Sequence, residues 1–280
     1  MTARSAGGSA STVHLRSVSL RPVTRAQAGR FPFDVPAIRT MTSIEFTTPV
    51  TFLVGENGSG KSTFLEAVAT AAGMIAVGSA DIERDETLTA VRALADRLTL
   101  SWTKRTRRGF FLRAEDFFGF ARRMAALRQD LEQGLREVDE VHAGASDYAK
   151  DLARTPYLKE LGALQASYGG DLDDRSHGEG FLDLFRARLV PNGLYLLDEP
   201  EAPLSPLRQL AFLSMLIETV REQRAQCIIA THSPILMAFP GATILSFDRE
   251  PIAPVRYEDL DHVTITRDFL NDPASYLRRL

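Results

Sequence analysis

One eight-residue run constrains the fold of this chain more than any other feature. It has the pattern G-x-x-x-x-G-K-S of a phosphate-binding loop. Its members are Gly55, Glu56, Asn57, Gly58, Ser59, Gly60, Lys61 and Ser62. Apolar residues 50–54 before it predict a buried strand, and residues 62–72 after it predict a helix with Phe64, Leu65 and Val68 on one face. A strand, a glycine-rich loop and a helix in this order predict a nucleotide-binding unit.

The chemistry of each loop position supports this prediction. Glycines let the backbone curl so that its N–H groups point at an anion, and the helix that follows adds the positive end of its dipole. We expect Lys61 to reach the β- and γ-phosphates and the Ser62 hydroxyl to ligate Mg²⁺. Thr63, the next residue of the helix, completes the predicted nucleotide-binding set. The predicted cofactors are therefore ATP and Mg²⁺.

Polar residues follow two further apolar strands. Asp198 and Glu199 come directly after residues 194–197, and His232 comes shortly after a strand at 225–230. Because the carboxyl ends of parallel strands meet at one edge of a sheet, we expect these side chains beside the phosphate loop. Asp198 is the predicted partner of Ser62 in holding Mg²⁺. Glu199 and His232 are the predicted catalytic residues, which orient a water and donate to the γ-phosphate.

The alternation of apolar strands with helices predicts an α/β fold, with a mostly parallel sheet covered by helices. Residues 13–20 predict an N-terminal β region with a bulge, because their apolar side chains are spaced by two and by three. The character changes between about 81 and 175, where helical spacing predominates. We interpret this stretch as an inserted, mainly helical sub-domain, although it also carries strand-like runs near 98–102 and 109–112.

Residues 1–12 are small and polar and predict a disordered tail, so the ATPase domain is predicted to span 13–280. A formal net charge of −3 gives no general reason to expect nucleic acid as a partner. Cys227 is the only cysteine and lies in an apolar run, which favours a buried core residue. No stretch approaches the ~20 apolar residues of a membrane span. We expect no membrane insertion and a cytoplasmic location.

These motifs, in this order, resemble the ATP-binding cassette superfamily. The string Ser176-His177-Gly178-Glu179 stands where that family has its Leu-Ser-Gly-Gly-Gln signature, just before a helix. In the family the signature binds the γ-phosphate that a second subunit holds. The resemblance therefore implies that Ser176, Gly178 and Glu179 contact a partner's nucleotide in an ATP-dependent, head-to-tail homodimer.

Two strings make the chain more similar to soluble RecF/SMC-type ATPases than to transporter cassettes. They are the Glu-Asn-Gly of the phosphate loop and the Thr-His-Ser-Pro at 231–234. The strings at 109–115 and 176–181 also resemble a compact group of bacterial predicted AAA-family ATPases. This branch implies an ATP-driven dimerisation switch and suggests DNA repair or defence, with a DNA or protein partner that the sequence does not identify.

The chain departs from the cassette pattern at two places and leaves a third position open between two residues. The family's glutamine after the strand at 109–112 is absent, and Arg113 or Glu115 replaces it, or neither does. The inter-subunit aspartate is missing from residues 202–205. The aromatic residue that stacks on adenine is represented by two candidates, Phe31 and Phe33, which are equally consistent with a structural role.

Two other functions stay open at this point. The chain could be the ATP-binding subunit of an ABC transporter, docked on a separate permease. It could also be a nucleotide-dependent scaffold with little hydrolysis, which the missing glutamine and aspartate would favour. The leading prediction is Mg²⁺-dependent ATP hydrolysis.

Overall fold

The computed structural model describes residues 13–77, 87–168 and 177–278. The predicted tail at 1–12 and the signature residue Ser176 lie outside the described residues. The strands are β1 (Leu15–Leu20), β2 (Ser43–Glu45), β3 (Val50–Val54), β4 (Ala76–Val77), β5 (Leu98–Trp102), β6 (Gly109–Arg113), β7 (Leu194–Asp198), β8 (Gln226–Ala230), β9 (Thr243–Ser246) and β10 (Ala253–Pro254). The helices are α1 (Arg25–Ala28), α2 (Pro36–Thr40), α3 (Lys61–Ala72), α4 (Thr87–Ala95), α5 (Ala114–Val141), α6 (Asp147–Tyr168), α7 (His177–Arg188), α8 (Pro206–Gln223), α9 (Pro234–Met237), α10 (Asp261–Asn271) and α11 (Pro273–Leu277), with a 3₁₀ turn at Tyr257–Asp259.

A mostly parallel sheet forms the centre of the fold. In the parts of the chain that the structure describes, it has seven strands in the order β10-β9-β3-β8-β7-β6-β4, and only β10 pairs antiparallel. Every residue of β3, β7 and β8 is buried. Strands covered on both faces need continuous apolar runs, which is why these segments show no alternation in the sequence. The predicted α/β class is confirmed.

A smaller antiparallel sheet carries the N-terminal β region, with strand order β2-β1-β5. Its register shifts between Leu15 and Ser17, which is the predicted bulge. The fully buried side chain of Gln226, from β8, connects this sheet to the main one. Its Oε1 accepts the backbone N–H groups of His14 and Leu15 at 2.8 and 2.7 Å, and its Nε2 donates to the Leu15 carbonyl at 2.9 Å.

The predicted insert contains α4, which packs against α3, and a hairpin of α5 and α6, in which Gly134 packs against the ring of Tyr157. The strand-like runs near 98–102 and 109–112 are β5 and β6. Both belong to the sheets, because β5 pairs with β1 and β6 lies between β7 and β4. The stretch from about 81 to 175 therefore contributes strands to both sheets as well as helices, and its status as a sub-domain stays a prediction.

The core fills both faces of the main sheet. Helix α3 buries Phe64, Leu65 and Val68 on one face, as its spacing predicts. The other face is rich in aromatic side chains that pack edge to face, among them Phe110, Phe117, Phe181, Phe185 and Phe212. Cys227 is buried in this cluster, and burial raises the pKa of its thiol to about 12. Within the described ranges, no helix has the length and apolar character needed to cross a membrane.

Candidate functional site

Five adjacent strands end at the same edge of the main sheet, and each has a polar group at or just beyond its last residue. The strands, in spatial order, are β9, β3, β8, β7 and β6. The polar groups at these ends are, in the same order, Asp248, the phosphate loop, His232, the pair Asp198-Glu199 and Arg113. The parallel register brings together residues that lie far apart in the sequence.

The phosphate loop has the backbone that its glycines permit. Gly55, Gly58 and Gly60 have φ values of +146°, +84° and +99°, a region that other residues rarely adopt. Gly60 caps the N-terminus of α3. Asp248 closes the other side of the loop, because its Oδ1 accepts the Glu56 N–H at 2.9 Å. A side chain at Gly55 would meet that same oxygen.

The Lys61 side chain is buried within the phosphate loop. Its Nζ donates to the carbonyl oxygens of Gly55 and Glu56 at 2.7 and 2.9 Å and lies 3.4 Å from the Ser59 hydroxyl. Burial lowers the pKa of Lys61, while Asp248 and other nearby carboxylates act in the opposite direction. These loop carbonyls partly compensate the burial of the ammonium group.

Ser62 and Asp198 are in direct contact. The Ser62 hydroxyl donates to Asp198 Oδ1 at 3.1 Å, across 136 residues of sequence. Burial raises the pKa of Asp198 to about 6, and the hydrogen bond from Ser62 offsets part of that effect. A hydroxyl and a carboxylate side by side are oxygen ligands of the kind that Mg²⁺ prefers. The predicted pair is thus assembled, and its donor set fits this ion.

Glu199 and His232 face each other beside this pair. Glu199 has φ of +49°, so the chain turns sharply after β7 instead of continuing the strand. Its carboxylate is 47% exposed, and Oε1 lies 3.8 Å from His232 Nε2. Burial and the charge of Lys61 lower the pKa of His232, so a neutral imidazole is present at pH 7. Both predicted catalytic side chains therefore lie at one site.

Three residues at this site were not predicted from the sequence. Glu201 holds the His232 backbone, because its Oε1 accepts that N–H at 2.7 Å, and burial raises its pKa. Asp248 closes the phosphate loop, and His262 contacts the His232 ring. Asp248 comes shortly after the apolar strand β9, and the same kind of signal identified Asp198. The sequence offers no comparable signal for Glu201 or His262.

The two aromatic candidates for adenine stacking differ in exposure. Phe33 is 4% exposed and packs in the core with residues of α2, such as Ile38. Its ring is packed in the core and leaves no exposed face for a base, so the expected stacking role does not hold for Phe33. Phe31 is 56% exposed and keeps a free ring.

The residues at the glutamine position and in the signature string lie in different parts of the structure. Arg113 forms an ion pair with buried Glu66 of α3, and it lies in register with Asp198 on the neighbouring strand. Glu115 is in the first turn of α5, Gly178 and Glu179 are in the first turn of α7, and nothing is described of the side chains of Glu115 and Glu179. Arg113 therefore lies beside the Ser62–Asp198 pair, but its side chain forms an ion pair with Glu66.

Two protein-family models match the two sequence segments that carry most of this site. A model described as "AAA domain" matches residues 37–85, which include the phosphate loop. A model described as "AAA domain, putative AbiEii toxin, Type IV TA system" matches residues 180–238, which include Asp198 and His232. Together with the loop geometry, these matches support a P-loop ATPase that is similar to AAA domains. No curated protein matched the sequence.

Three solved structures are similar to this chain at low sequence identity. An Smc head domain from Pyrococcus furiosus, bound to the C-terminal domain of ScpA, has a TM-score of 0.45 and 12% identity over 93% of this chain and 99% of its own. CbiO1 from Clostridium perfringens, part of the ABC transporter complex cbiONQ, has 0.44 and 15% over 96% and 100%. A nucleotide-free ATP-binding cassette from an ABC transporter has 0.46 and 16% over 93% and 96%.

Proposed function

We propose that this P-loop ATPase binds ATP with Mg²⁺ and hydrolyses it to ADP and phosphate. The observation that carries the proposal is the 3.1 Å contact between Ser62 and Asp198, which joins the phosphate loop to the acidic strand end. Glu199 and His232 lie beside that contact. The four side chains come from three separate segments, and their convergence on a phosphate loop favours phosphoryl transfer to water.

Lys61 binds the phosphates by exchanging partners. Its ammonium group gives up the carbonyl oxygens of Gly55 and Glu56 and takes the more negative β- and γ-phosphate oxygens. The α3 N-terminus and the loop N–H groups add to this anion site. Phe31, with its exposed ring, is the residue that we assign to adenine.

Ser62 and Asp198 are the residues that would hold Mg²⁺. The ion, when bound, neutralises charge that develops on the phosphate oxygens. In the described residues, no group of three or more His, Cys, Asp or Glu side chains is suited to a metal. A site of one hydroxyl and one carboxylate matches the preference of Mg²⁺ for few protein ligands together with phosphates and water.

Glu199 orients the attacking water, because its carboxylate is solvent-accessible at the end of β7 and lies next to His232. His232 is neutral at pH 7 and donates one hydrogen bond to the γ-phosphate as negative charge develops there. Glu201 fixes the His232 backbone, so that the ring can be held in one place.

We further propose that two copies close head to tail over two nucleotides, with α7 of one copy against the phosphates of the other. The exposed carboxylate of Glu199 supports this part of the proposal, because a second copy could cover it and exclude water. The resemblance of Ser176, Gly178 and Glu179 to the signature gives the surface that would do so. The cytoplasmic location and a role in DNA repair or defence stay predictions.

Steady-state phosphate release tests hydrolysis. Wild type should turn over ATP only with Mg²⁺, and Lys61→Ala should abolish turnover, while Lys104→Ala, which changes an exposed lysine, should not. A wild-type rate no higher than that of Lys61→Ala would contradict the proposal and would favour a nucleotide-dependent scaffold with little hydrolysis.

Light scattering of Glu199→Gln with and without ATP tests the dimer. An unchanged mass in the presence of ATP would contradict the proposed dimer alone. Co-purification with a multi-span membrane partner would instead favour the transporter subunit.

A further inference from the structure

A second histidine contacts the ring of His232. His262 Nε2 lies 2.9 Å from His232 Nδ1, and the two ring centroids are 4.9 Å apart with an interplanar angle of 51°. His232 follows β8, whereas His262 is the second residue of α10, 30 positions later. The pair therefore joins the ATP site to the C-terminal part of the fold, which no sequence motif indicates.

The start of α10 is fixed against the segment that carries His232. Leu260 and Val263 flank His262 and are buried in the same cluster as Leu236 of α9. The Tyr257 hydroxyl donates to the carbonyl oxygen of Pro234 at 3.1 Å. Because these contacts hold the two segments together on both sides of the histidine pair, the ring-to-ring distance is set by the fold.

The hydrogen bond between the rings can have only one donor. A neutral imidazole carries one N–H and one acceptor nitrogen, and the two tautomers differ in which nitrogen has the proton. If His232 donates through Nδ1, its Nε2 presents a lone pair toward Glu199, whose Oε1 is 3.8 Å away. If His262 donates through Nε2, His232 Nδ1 accepts and its Nε2 carries the proton.

The second arrangement suits the surroundings of His232 Nε2. This nitrogen is buried and has no hydrogen-bond partner among the described residues. The Glu199 carboxylate, whose Oε1 is 3.8 Å from this nitrogen, favours a donor there and repels a lone pair. Lys61 lies close enough to disfavour a positively charged His232 ring, so a neutral ring must present its single proton at the correct nitrogen.

We propose that His262 is a positioning residue that fixes His232 as the Nε2–H tautomer, with the donor directed at the γ-phosphate. The proposal rests on the proposed role of His232 in ATP hydrolysis. It extends that role by assigning the orientation and proton position of the donor to a residue of α10. His262 itself does not touch the nucleotide.

Nitrogen-15 spectra of the histidine side chains in nucleotide-free protein test the tautomer without any need for turnover. The chain has five histidines, and loss of one set of signals in His232→Gln assigns that ring. Wild type and Asp268→Asn, a control on the exposed side of α10, should show His232 protonated at Nε2. His262→Phe should show a mixture of tautomers, because the ring shape is kept and the donor is lost. His262→Gln, whose amide can donate from a similar position, should restore Nε2–H.

Turnover should follow the tautomer. We expect kcat of His262→Phe to fall about tenfold, with KM for ATP changed by less than about twofold, and His262→Gln to recover most of kcat. A wild-type His232 protonated at Nδ1, or a pure Nε2–H tautomer in His262→Phe, would overturn the proposal. So would an unchanged kcat in His262→Phe. Failure of ATP hydrolysis in wild type would instead contradict the proposed function, and the spectra would still decide the tautomer.

Discussion

Asp198 allows a stability prediction that follows directly from its surroundings. Burial raises its pKa to about 6, compared with an ordinary value of 3.8. A pKa difference of about 2 corresponds to about 3 kcal/mol, which is a cost to the fold, because the ionised carboxylate is better solvated in the unfolded chain. We expect Asp198→Asn, which keeps an acceptor for the Ser62 hydroxyl, to raise the free energy of unfolding by about 2–3 kcal/mol at neutral pH without nucleotide.

The sign of the pH dependence follows from the direction of this pKa difference. Because the folded-state pKa of Asp198 lies above the unfolded one, its destabilising effect is complete above about pH 6 and disappears as the pH falls below about 4. The advantage of Asp198→Asn should therefore shrink to about 1 kcal/mol near pH 4.5. Above pH 6 it should be constant.

Urea unfolding at both pH values measures this effect. Asp268→Asn is the matched control, because it removes one carboxylate from an exposed position on α10. Equal stability of Asp198→Asn and wild type at neutral pH would refute the reasoning, and so would a stabilisation that is as large at pH 4.5. The same variant should lose at least about tenfold in ATP turnover, because it weakens the ligand pair for Mg²⁺.

Two other contacts give predictions for stability. Gln226→Leu should lower the free energy of unfolding, as measured with urea, by about 2–4 kcal/mol, because it leaves the backbone N–H groups of His14 and Leu15 buried without an acceptor. The control Gln223→Leu, on the C-terminal turn of α8, should lower it by less. Arg113→Ala should lower the free energy of unfolding by about 2–3 kcal/mol, because Glu66 loses its cationic partner. Adding Glu66→Gln to this variant should recover part of the lost stability. If it recovers none, the ion pair with Glu66 does not explain the effect of Arg113→Ala.

The sequence predicted the elements whose signals are local. Residues 50–72 carry a strand, a glycine loop and an amphipathic helix within one short segment, and the structure has each of them. Asp198 and His232 were predicted because each directly follows a buried apolar run, and parallel pairing then places them together. Such patterns depend on residue type and spacing alone.

The parts that were not predicted depend on contacts between distant residues. Gln226 lies in a run of buried apolar residues, and its partners are backbone groups more than 200 positions away. His262 pairs with His232 only because α10 packs beside α9. The run at 98–102 indicates a strand, but the sequence does not indicate that β5 pairs with β1, which lies far earlier in the chain. None of these contacts leaves a period or a short motif in the sequence.

Single-turnover hydrolysis by Glu199→Gln tests the central claim most directly. Each protein is mixed with less than one equivalent of ATP and with Mg²⁺, and bound ATP and released phosphate are followed together. If Glu199 orients the attacking water, wild type should convert the bound ATP while Glu199→Gln binds it equally well and converts it at least about a hundredfold more slowly. Conversion by Glu199→Gln at the wild-type rate, or no bound ATP in either protein, would contradict the account of this site.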